Sequence, residues 1–277
     1  MTSLAEALGY GPDARLLLVT CDDLGISYAT NAGVYEALRS GAATSAGLVV
    51  PGPWAREAAA SYRGEDVGTH LTLNAEYNLY RWGPVTHAPS LLDGDGGFPR
   101  TLVDLWEHAD VDEVRKECRA QIERAVYWGF DVSHLSAHLG ALELRPEFFD
   151  VALELAIEFE LPLRLPSPDQ QRNAGFPFRE LAAEQGVLSP DRLARAARGQ
   201  SARACLDRLF RALPAGVTEV VLRPARDSAE LRAVMPDWPA RVEDLDIATD
   251  PRYVRTLAER AGITLISYRA LRDLQRS

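Results

Sequence analysis

Short apolar runs that alternate with helix-like segments are the feature that most constrains the fold of this chain. The runs are nearly continuous, which is typical of strands buried on both faces of a parallel sheet. They occupy residues 16–21, 43–50, 66–73, 132–138, 161–166, 218–224 and 263–268. Apolar residues at helical spacing lie between them, in residues 28–40, 53–62, 111–128, 146–160, 202–212 and 251–261. The alternation predicts an α/β fold with a parallel sheet.

Seven strand candidates in a chain of 277 residues favour an irregular (β/α) barrel of about seven parallel strands, with an open doubly wound sheet as the alternative. No shift in composition divides the chain, so we expect one domain over residues 1–277. Two stretches, near residues 74–101 and 166–201, interrupt the alternation and are predicted loop insertions. Loops that follow parallel strands often build binding sites, but plain surface loops are the alternative.

The composition restricts the class of function. A hydrophobic share of 47% and a charged share of 25% are ordinary for a soluble globular protein. The net charge of −10 disfavours nucleic acid and anionic membranes as partners. The chain shows neither a signal-peptide pattern nor an apolar stretch of about 20 residues. Three scattered cysteines, Cys21, Cys118 and Cys205, predict reduced thiols and a cytoplasmic protein.

Two adjacent carboxylates, Asp22 and Asp23, end the first apolar run in the stretch LLLVTCDDLGIS. His70 lies near the end of the third run, and His138 ends the fourth. Because the carboxyl ends of parallel strands meet on one face of a barrel, we expect these four side chains to converge. One carboxylate and two imidazoles form a ligand set of catalytic zinc sites, which keep a position for water. Magnesium is less typical of such a site but is an alternative.

The residues alone leave a second interpretation open. An Asp-Asp pair before glycine is common in solvated turns and helix caps. If a divalent ion is bound instead, Asp23 could be a ligand while Asp22 removes a proton from water. His134 would lie about 13 Å from His138 along a regular strand, so we expect it to pack in the core or behind the ligands.

Five segments of the chain together resemble the YdjC-type carbohydrate deacetylases, relatives of chitooligosaccharide deacetylase. The segments are VTCDDLGISYATNAGVYEALRSGAATSAGLVV, VGTHLTLN, VRKECRAQIERAVYWGFDVSHLSAHLG, RPEFFDVALELA with LPLRLP, and GITLISYRALRDL. The resemblance extends over nearly the whole chain. It implies a (β/α) barrel that hydrolyses the N-acetyl amide of a sugar with one divalent metal ion, zinc or magnesium.

The resemblance also implies roles for individual residues. By position, Asp23, His70 and His138 correspond to the metal ligands, and Asp22 corresponds to the general base. Arg164 corresponds to an arginine near the active site that could orient the base or the substrate.

Two positions differ from the usual sequence of the family. Ser136 stands in SHLSAH where an aspartate is common, and Arg223 stands in VVLRPARD where the family commonly has a histidine, the proposed general acid. An arginine keeps its proton at ordinary pH and cannot replace that acid. It could instead stabilise a developing oxyanion or bind an anionic group.

Three hypotheses follow for the function. The first is a metal-dependent carbohydrate deacetylase, an amidohydrolase that acts on linear amides. The second is a sugar-binding relative with impaired catalysis, because a lost general acid typically costs about 10²–10⁴-fold in rate. The third is a metallohydrolase of an anionic metabolite that Arg223 and Arg226 would recognise.

An aromatic stretch, YNLYRWGP, is a candidate wall of the substrate site. Tyr77, Tyr80 and Trp82 could stack on sugar rings, or they could bury apolar area and hold the loop on the barrel. The expected partner is a small carbohydrate, with neither nucleic acid nor a membrane. A homodimer is compatible with the sequence.

Overall fold

The computed structural model describes residues 3–196, 201–250 and 252–277. The strands are β1 Arg15–Leu24, β2 Ser45–Leu48, β3 Val67–Leu71, β4 Val132–Ala137, β5 Arg192–Arg195, β6 Gly216–Leu222 and β7 Ile263–Leu265. The helices are α1 Leu4–Ala7, α2 Tyr28–Ser40, α3 Ala55–Ser61, α4 Leu102–His108, α5 Val111–Tyr127, α6 Pro146–Glu158, α7 Pro168–Ala174, α8 Phe178–Glu184, α9 Ala202–Ala212, α10 Ala229–Val234, α11 Trp238–Thr249, α12 Val254–Arg260 and α13 Tyr268–Gln275. Short 3₁₀ turns lie at Pro89–Leu91 and His138–Gly140.

The strands form one sheet that curls into a half-barrel with helices around it. Their order is β4-β3-β2-β1-β6-β5, and β7 lies beside β1. Every strand pair in the described part of the chain is parallel. The irregular seven-stranded α/β barrel that the sequence predicts is therefore confirmed, and its strands are covered by helices as a parallel sheet requires.

The first strand is the centre of the sheet. β6 pairs with β1 from Arg15 to Cys21 along one edge. The other edge is shared, because β7 pairs with residues 15–17 and β2 pairs with β1 between Thr20 and Leu24. This central position buries the apolar run LLLVTC completely, so the carboxylates that follow it are held inside the barrel mouth.

One predicted strand is wrong and one strand was missed. Residues 161–166 form only an isolated bridge, between Leu135 and Leu163, because Pro162 and Pro166 lack the N–H groups that a ladder needs. The segment still lies beside β4, since the Leu135 N–H donates to the Pro162 carbonyl and the Arg164 N–H donates to the Leu135 carbonyl, both at 2.9 Å. The missed strand is β5, whose sequence RLAR is partly exposed and has no apolar run.

The predicted helices are confirmed, with ends that move by a few residues. α2 begins after Ser27, whose hydroxyl accepts a hydrogen bond from the Thr30 N–H, while the Thr30 hydroxyl accepts from the Ser27 N–H. Asn31 Oδ1 accepts from the Gly25 N–H at 2.7 Å. These bonds fix the turn that follows the two carboxylates of β1. Within the described residues, no helix is both long enough and apolar enough to cross a membrane.

We predict that Gly33→Ala destabilises the protein, although alanine favours helices over glycine by about 1 kcal/mol. A Cβ atom on Gly33 in α2 would lie 2.8 Å from Ala225 Cα and 2.9 Å from the Pro224 oxygen. Backbone cannot easily move away, so the free energy of unfolding should fall by about 1–3 kcal/mol in urea denaturation. Gly94→Ala, where nothing lies within 4 Å, is the control and should change it by less than about 0.5 kcal/mol. A stabilised Gly33→Ala variant would contradict the close packing.

Candidate metal centre

Three candidate ligands meet at the carboxyl ends of neighbouring strands. Asp23 lies near the end of β1, His70 lies in β3, and His138 begins the 3₁₀ turn directly after β4. One ligand atom from each residue lies within 4.8 Å of the others, and all three residues are buried. The sequence placed Asp22 and Asp23 just past the first strand, whereas β1 includes both of them.

The two adjacent carboxylates point to different neighbours because the backbone turns between them. Asp23 has a φ of 70°, in the left-handed region that aspartate visits more readily than most residues. The pairing with β2 also shifts between Cys21 and Leu24.

Asp22 is held by Arg164. Arg164 Nη1 donates to Asp22 Oδ2 at 2.8 Å, and Nη2 donates to Oδ1 at 3.0 Å. The same guanidinium donates to Glu219 Oε1 from Nε and Nη2, at 2.9 and 2.6 Å. The Tyr268 hydroxyl extends this hydrogen-bond network by donating to Glu219 Oε2 at 2.6 Å. The arginine that the resemblance implies is therefore shared between two buried carboxylates.

Asp23 has its own counter-charge, which the sequence did not reveal. Arg241 Nη2 lies 2.8 Å from Asp23 Oδ2 in an ion pair, without the angles of a hydrogen bond. Arg241 also donates to the Tyr77 hydroxyl at 2.8 Å and to Asp237 Oδ2 at 3.1 Å. This fully buried arginine therefore links Asp23 to Tyr77, in the stretch 74–101.

The two arginines keep both carboxylates ionised. Burial by itself would raise the pKa of Asp22, but Arg164 and, less strongly, His70 hold that pKa well below its usual range. Burial opposes ionisation of Asp23 as well, and Arg241 lowers its pKa. Opposite charge at short range outweighs desolvation in both cases.

The outer ring nitrogens of both histidines have hydrogen-bond partners. His70 Nδ1 lies 2.7 Å from Ser136 Oγ, and His138 Nε2 lies 3.0 Å from Glu76 Oε2. Their other nitrogens face the carboxylates, with His70 Nε2 3.8 Å from Asp22 Oδ2 and His138 Nδ1 3.6 Å from Asp23 Oδ1. Ser136, one of the two departures from the family pattern, thus occupies the position behind a candidate ligand.

The histidines differ in their affinity for a proton. Burial lowers the pKa of His70 to about 4, although Asp22 partly opposes that shift. Burial also disfavours the charged form of His138, but Glu76 outweighs it and raises that pKa. His70 is therefore neutral at neutral pH, as a metal ligand must be. Because the pKa of His138 is raised, a metal ion would have to compete with a proton for the ring of His138.

The residues fit a divalent ion. Two ligands about 2.1 Å from a tetrahedral ion lie roughly 3.4 Å apart, close to the 3.6 Å between His138 Nδ1 and Asp23 Oδ1. Ligating histidines usually donate their second nitrogen to a carboxylate or another oxygen, which matches the Glu76 and Ser136 contacts. Asp23, His70 and His138 could therefore hold one ion, and Asp22 lies beside them.

A cavity of about 210 Å³ opens over this cluster. The described residues that line it are Asp22, Asp23, His70, Ala137, His138, Leu139, Arg195, Ala196, Val221, Arg223 and Asp244. Arg223, which the sequence singled out, lies at its rim with 46% of its side chain exposed. Arg226 does not line the cavity and instead pairs with Glu36 at 2.8 Å.

The aromatic residues of YNLYRWGP pack beside the centre. The Tyr77 and Trp82 side chains are buried, and the Trp82 ring lies 6.4 Å from the His138 ring in an edge contact. The Tyr80 hydroxyl donates to the Ile26 carbonyl at 2.7 Å. These contacts fix the segment on the barrel, and contact of the three rings with a sugar stays a prediction.

His134 lies in the core, as the strand spacing indicates. Its ring stacks on Tyr268 with 3.7 Å between centroids, and Ser133 Oγ lies 2.9 Å from its Nδ1.

Sequence patterns did not indicate six residues of the site: Glu76, Arg195, Glu219, Arg241, Asp244 and Tyr268. A weak signal did exist for two of them. Arg241 and Asp244 are charged residues three positions apart on α11, and both are buried. Such spacing puts both on one face of a helix. Glu76 and Glu219 had no comparable pattern.

Comparison with known proteins agrees with the fold. The family model for YdjC-like protein matches residues 16–259. The chain is 35% identical to the carbohydrate deacetylase of Thermus thermophilus, over 98% of both chains. It is 31% identical to the chitooligosaccharide deacetylase of Serratia marcescens, over 93% of this chain and 99% of the other. A solved structure from Enterococcus faecalis, described as a candidate cellobiose-phosphate cleavage protein, has a TM-score of 0.80 and 26% identity, over 93% of this chain and 99% of the other.

We predict that Asp23→Ala and His138→Ala each abolish stoichiometric binding of a divalent ion, because each removes one of three ligands. Elemental analysis of the purified proteins after dialysis against zinc would measure this. His87→Ala changes an exposed histidine outside the cluster and should bind like the unaltered protein. Equal metal content in all four proteins would contradict the assignment.

Proposed function

The chain belongs to the YdjC-like protein family, and from this premise we propose that it is a carbohydrate deacetylase that depends on one divalent metal ion. It would hydrolyse the N-acetyl amide of a sugar or an oligosaccharide and release acetate. One observation carries the proposal: an ionised Asp22 lies in the same cavity as the ligand set Asp23, His70 and His138. The relatives' names supply the substrate class.

The bound ion and Asp22 would have separate roles in the reaction. When bound, a divalent ion would lower the pKa of a water molecule and polarise the acetyl carbonyl. Asp22 would accept the proton that this water loses. A carboxylate has about four lone-pair positions, and Arg164 uses two of them, so Asp22 can still accept a proton from the cavity side.

Arg164 and Glu219 orient the base. The two parallel bonds from Arg164 fix the plane of the Asp22 carboxylate, as bidentate arginine contacts do. Glu219 binds the same guanidinium from behind, so the arginine cannot swing into the cavity. Zinc agrees best with two imidazole ligands, although magnesium is the alternative.

We predict that Asp22→Asn lowers kcat for acetate release from N-acetylglucosamine oligomers by about 10²–10⁴-fold, because the base is lost while the ligands remain. An enzyme-coupled acetate assay measures the rate, and elemental analysis should show unchanged metal content. Asp169→Asn changes a carboxylate with 82% exposure and should retain full activity. Robust turnover by the unaltered protein after complete metal removal would overturn the mechanism.

Two arginines favour a second candidate, a metallohydrolase whose substrate is anionic. Arg195 and Arg223 both line the cavity, and arginine recognises phosphate and carboxylate groups well. The name given to the related solved structure refers to a phosphorylated sugar, cellobiose phosphate. Arg226 no longer supports this hypothesis, since it lies outside the cavity.

We predict that Arg223→His discriminates between the two candidates. If the substrate is anionic, loss of the fixed charge should raise KM about tenfold for N-acetylglucosamine 6-phosphate and leave KM for N-acetylglucosamine unchanged, as a charged hydrogen bond contributes about 1.5–3 kcal/mol. Arg226→His, outside the cavity, is the matched control. Faster deacetylation of the neutral sugar with no change in phosphate preference would favour the first candidate instead.

A further inference from the structure

Amide hydrolysis needs a proton at the leaving nitrogen, and the chain lacks the expected donor for it. An amine leaves poorly without protonation, so a positioned proton donor is required. The residue at the expected position, Arg223, stays charged at ordinary pH and cannot donate. In deacetylation as proposed above, the proton has to come from a group other than Arg223.

Asp244 is placed to supply that acid. It lies on α11 and is 9% exposed. Of the described residues that line the cavity, three carry a carboxyl group: Asp22, Asp23 and Asp244. Asp22 and Asp23 each contact a buried arginine. Asp244 instead accepts one hydrogen bond, from the Arg223 backbone N–H to Oδ2 at 2.7 Å, which anchors the side chain at the cavity wall.

The surroundings of Asp244 let it keep a proton where Asp22 and Asp23 cannot. Burial raises its pKa to about 6, while the Arg223 N–H partly opposes the shift. The charged groups that face it are Arg223, directly after β6, and Arg241 and Glu243 from α11. The buried Cys21 thiol of β1 also lies near it, and burial keeps that thiol neutral by raising its pKa. The arginines favour its ionised form and Glu243 its protonated form.

We propose that Asp244 is the proton donor to the leaving amine, in the role that Arg223 cannot fill. The inference depends on the proposed deacetylase function. The Asp244 O–H bond breaks and a new N–H bond forms on the amide nitrogen. The electron pair of the C–N bond goes to that nitrogen, and the acetyl carbon keeps the oxygen that came from water. The proton that Asp22 took is released to solvent, and Asp244 regains one from solvent.

The test compares substrates that differ in their need for an acid. Asp244→Asn should lower kcat/KM for N-acetylglucosamine oligomers by about 10²–10⁴-fold. The same variant should hydrolyse p-nitrophenyl acetate almost as fast as the unaltered protein, because p-nitrophenolate leaves without a proton. Equal losses on both substrates would indicate a structural role and overturn the proposal, as would an unchanged rate on the oligomers.

Glu143→Gln is the matched control. Glu143 is also a buried carboxyl, and burial raises its pKa to about 7, but it does not line the cavity. This variant should not change the ratio of amide to ester hydrolysis. Melting temperature and metal content of both variants check that folding and the metal centre are intact.

A spectroscopic readout separates failure of this inference from failure of the proposed function. Infrared titration of the metal-free protein, with Asp244→Asn as the reference, should show one carboxyl that ionises near pH 6. If the protein hydrolyses the aryl ester but no N-acetylated sugar, the proposed deacetylase function is wrong. Acetanilide then replaces the sugar as the amide substrate, and the rates of Asp244→Asn and the unaltered protein are compared again. An Asp244 carboxyl that is fully ionised well below pH 6 overturns the proposal whatever the substrate.

Discussion

The pairing of two adjacent buried carboxylates with two buried arginines is the constraint on which the rest of the site depends. Asp22 and Asp23 sit on the central strand, where burial alone would drive both to their neutral forms. Arg164 lies in the segment 161–166 after α6, and Arg241 lies on α11, so the counter-charges come from parts of the chain far from β1. Loss of one partner of a buried pair typically costs about 3–5 kcal/mol. Each carboxylate is therefore stable as a buried anion only where the fold brings its arginine beside it.

Glu219 changes the balance of this charge cluster. Arg164 binds Asp22 and Glu219 together, and Arg241 binds Asp23 and Asp237, so each buried guanidinium is shared between two carboxylates. Glu76 beside His138 adds to the negative potential. Arg195 and Arg223 add positive charge to the same cavity, while the ligand atoms of Asp23, His70 and His138 already lie together. Tyr268 supports this arrangement by satisfying the remaining oxygen of Glu219.

The parts of the structure that the sequence predicted are those set by local patterns. Buried strands such as LLLVTC and helices such as α2 and α5 carry continuous or periodic apolar residues, so their existence follows from short-range information. Strand β5 was missed because RLAR has neither pattern. A strand was wrongly predicted at residues 161–166, because the prolines of that segment lack the N–H groups that a ladder needs. The register of the sheet depends on pairings between distant segments and had no local signal.

The site divides in the same way. The polar residues that interrupt apolar runs, Asp22, Asp23, His70 and His138, stood out in the sequence. Their supporting partners did not, because Arg241 is more than two hundred positions from Asp23 and lies in an unremarkable helix. The resemblance supplied Arg164, since no spacing rule could connect it with Asp22. Packing across the barrel, rather than any motif, determines which arginine neutralises which carboxylate.

The exchange of histidine for arginine at position 223 affects the cavity less than the side chains alone suggest. Two groups of that residue face the site: the guanidinium at the rim and the backbone N–H that binds Asp244. Every residue except proline offers the N–H, so the anchor of Asp244 is independent of the side chain at position 223. The arginine side chain adds a positive charge at the rim, while the backbone contact that holds Asp244 at the cavity wall does not involve that side chain. A change that looks like loss of function in the sequence is thus compatible with an intact site.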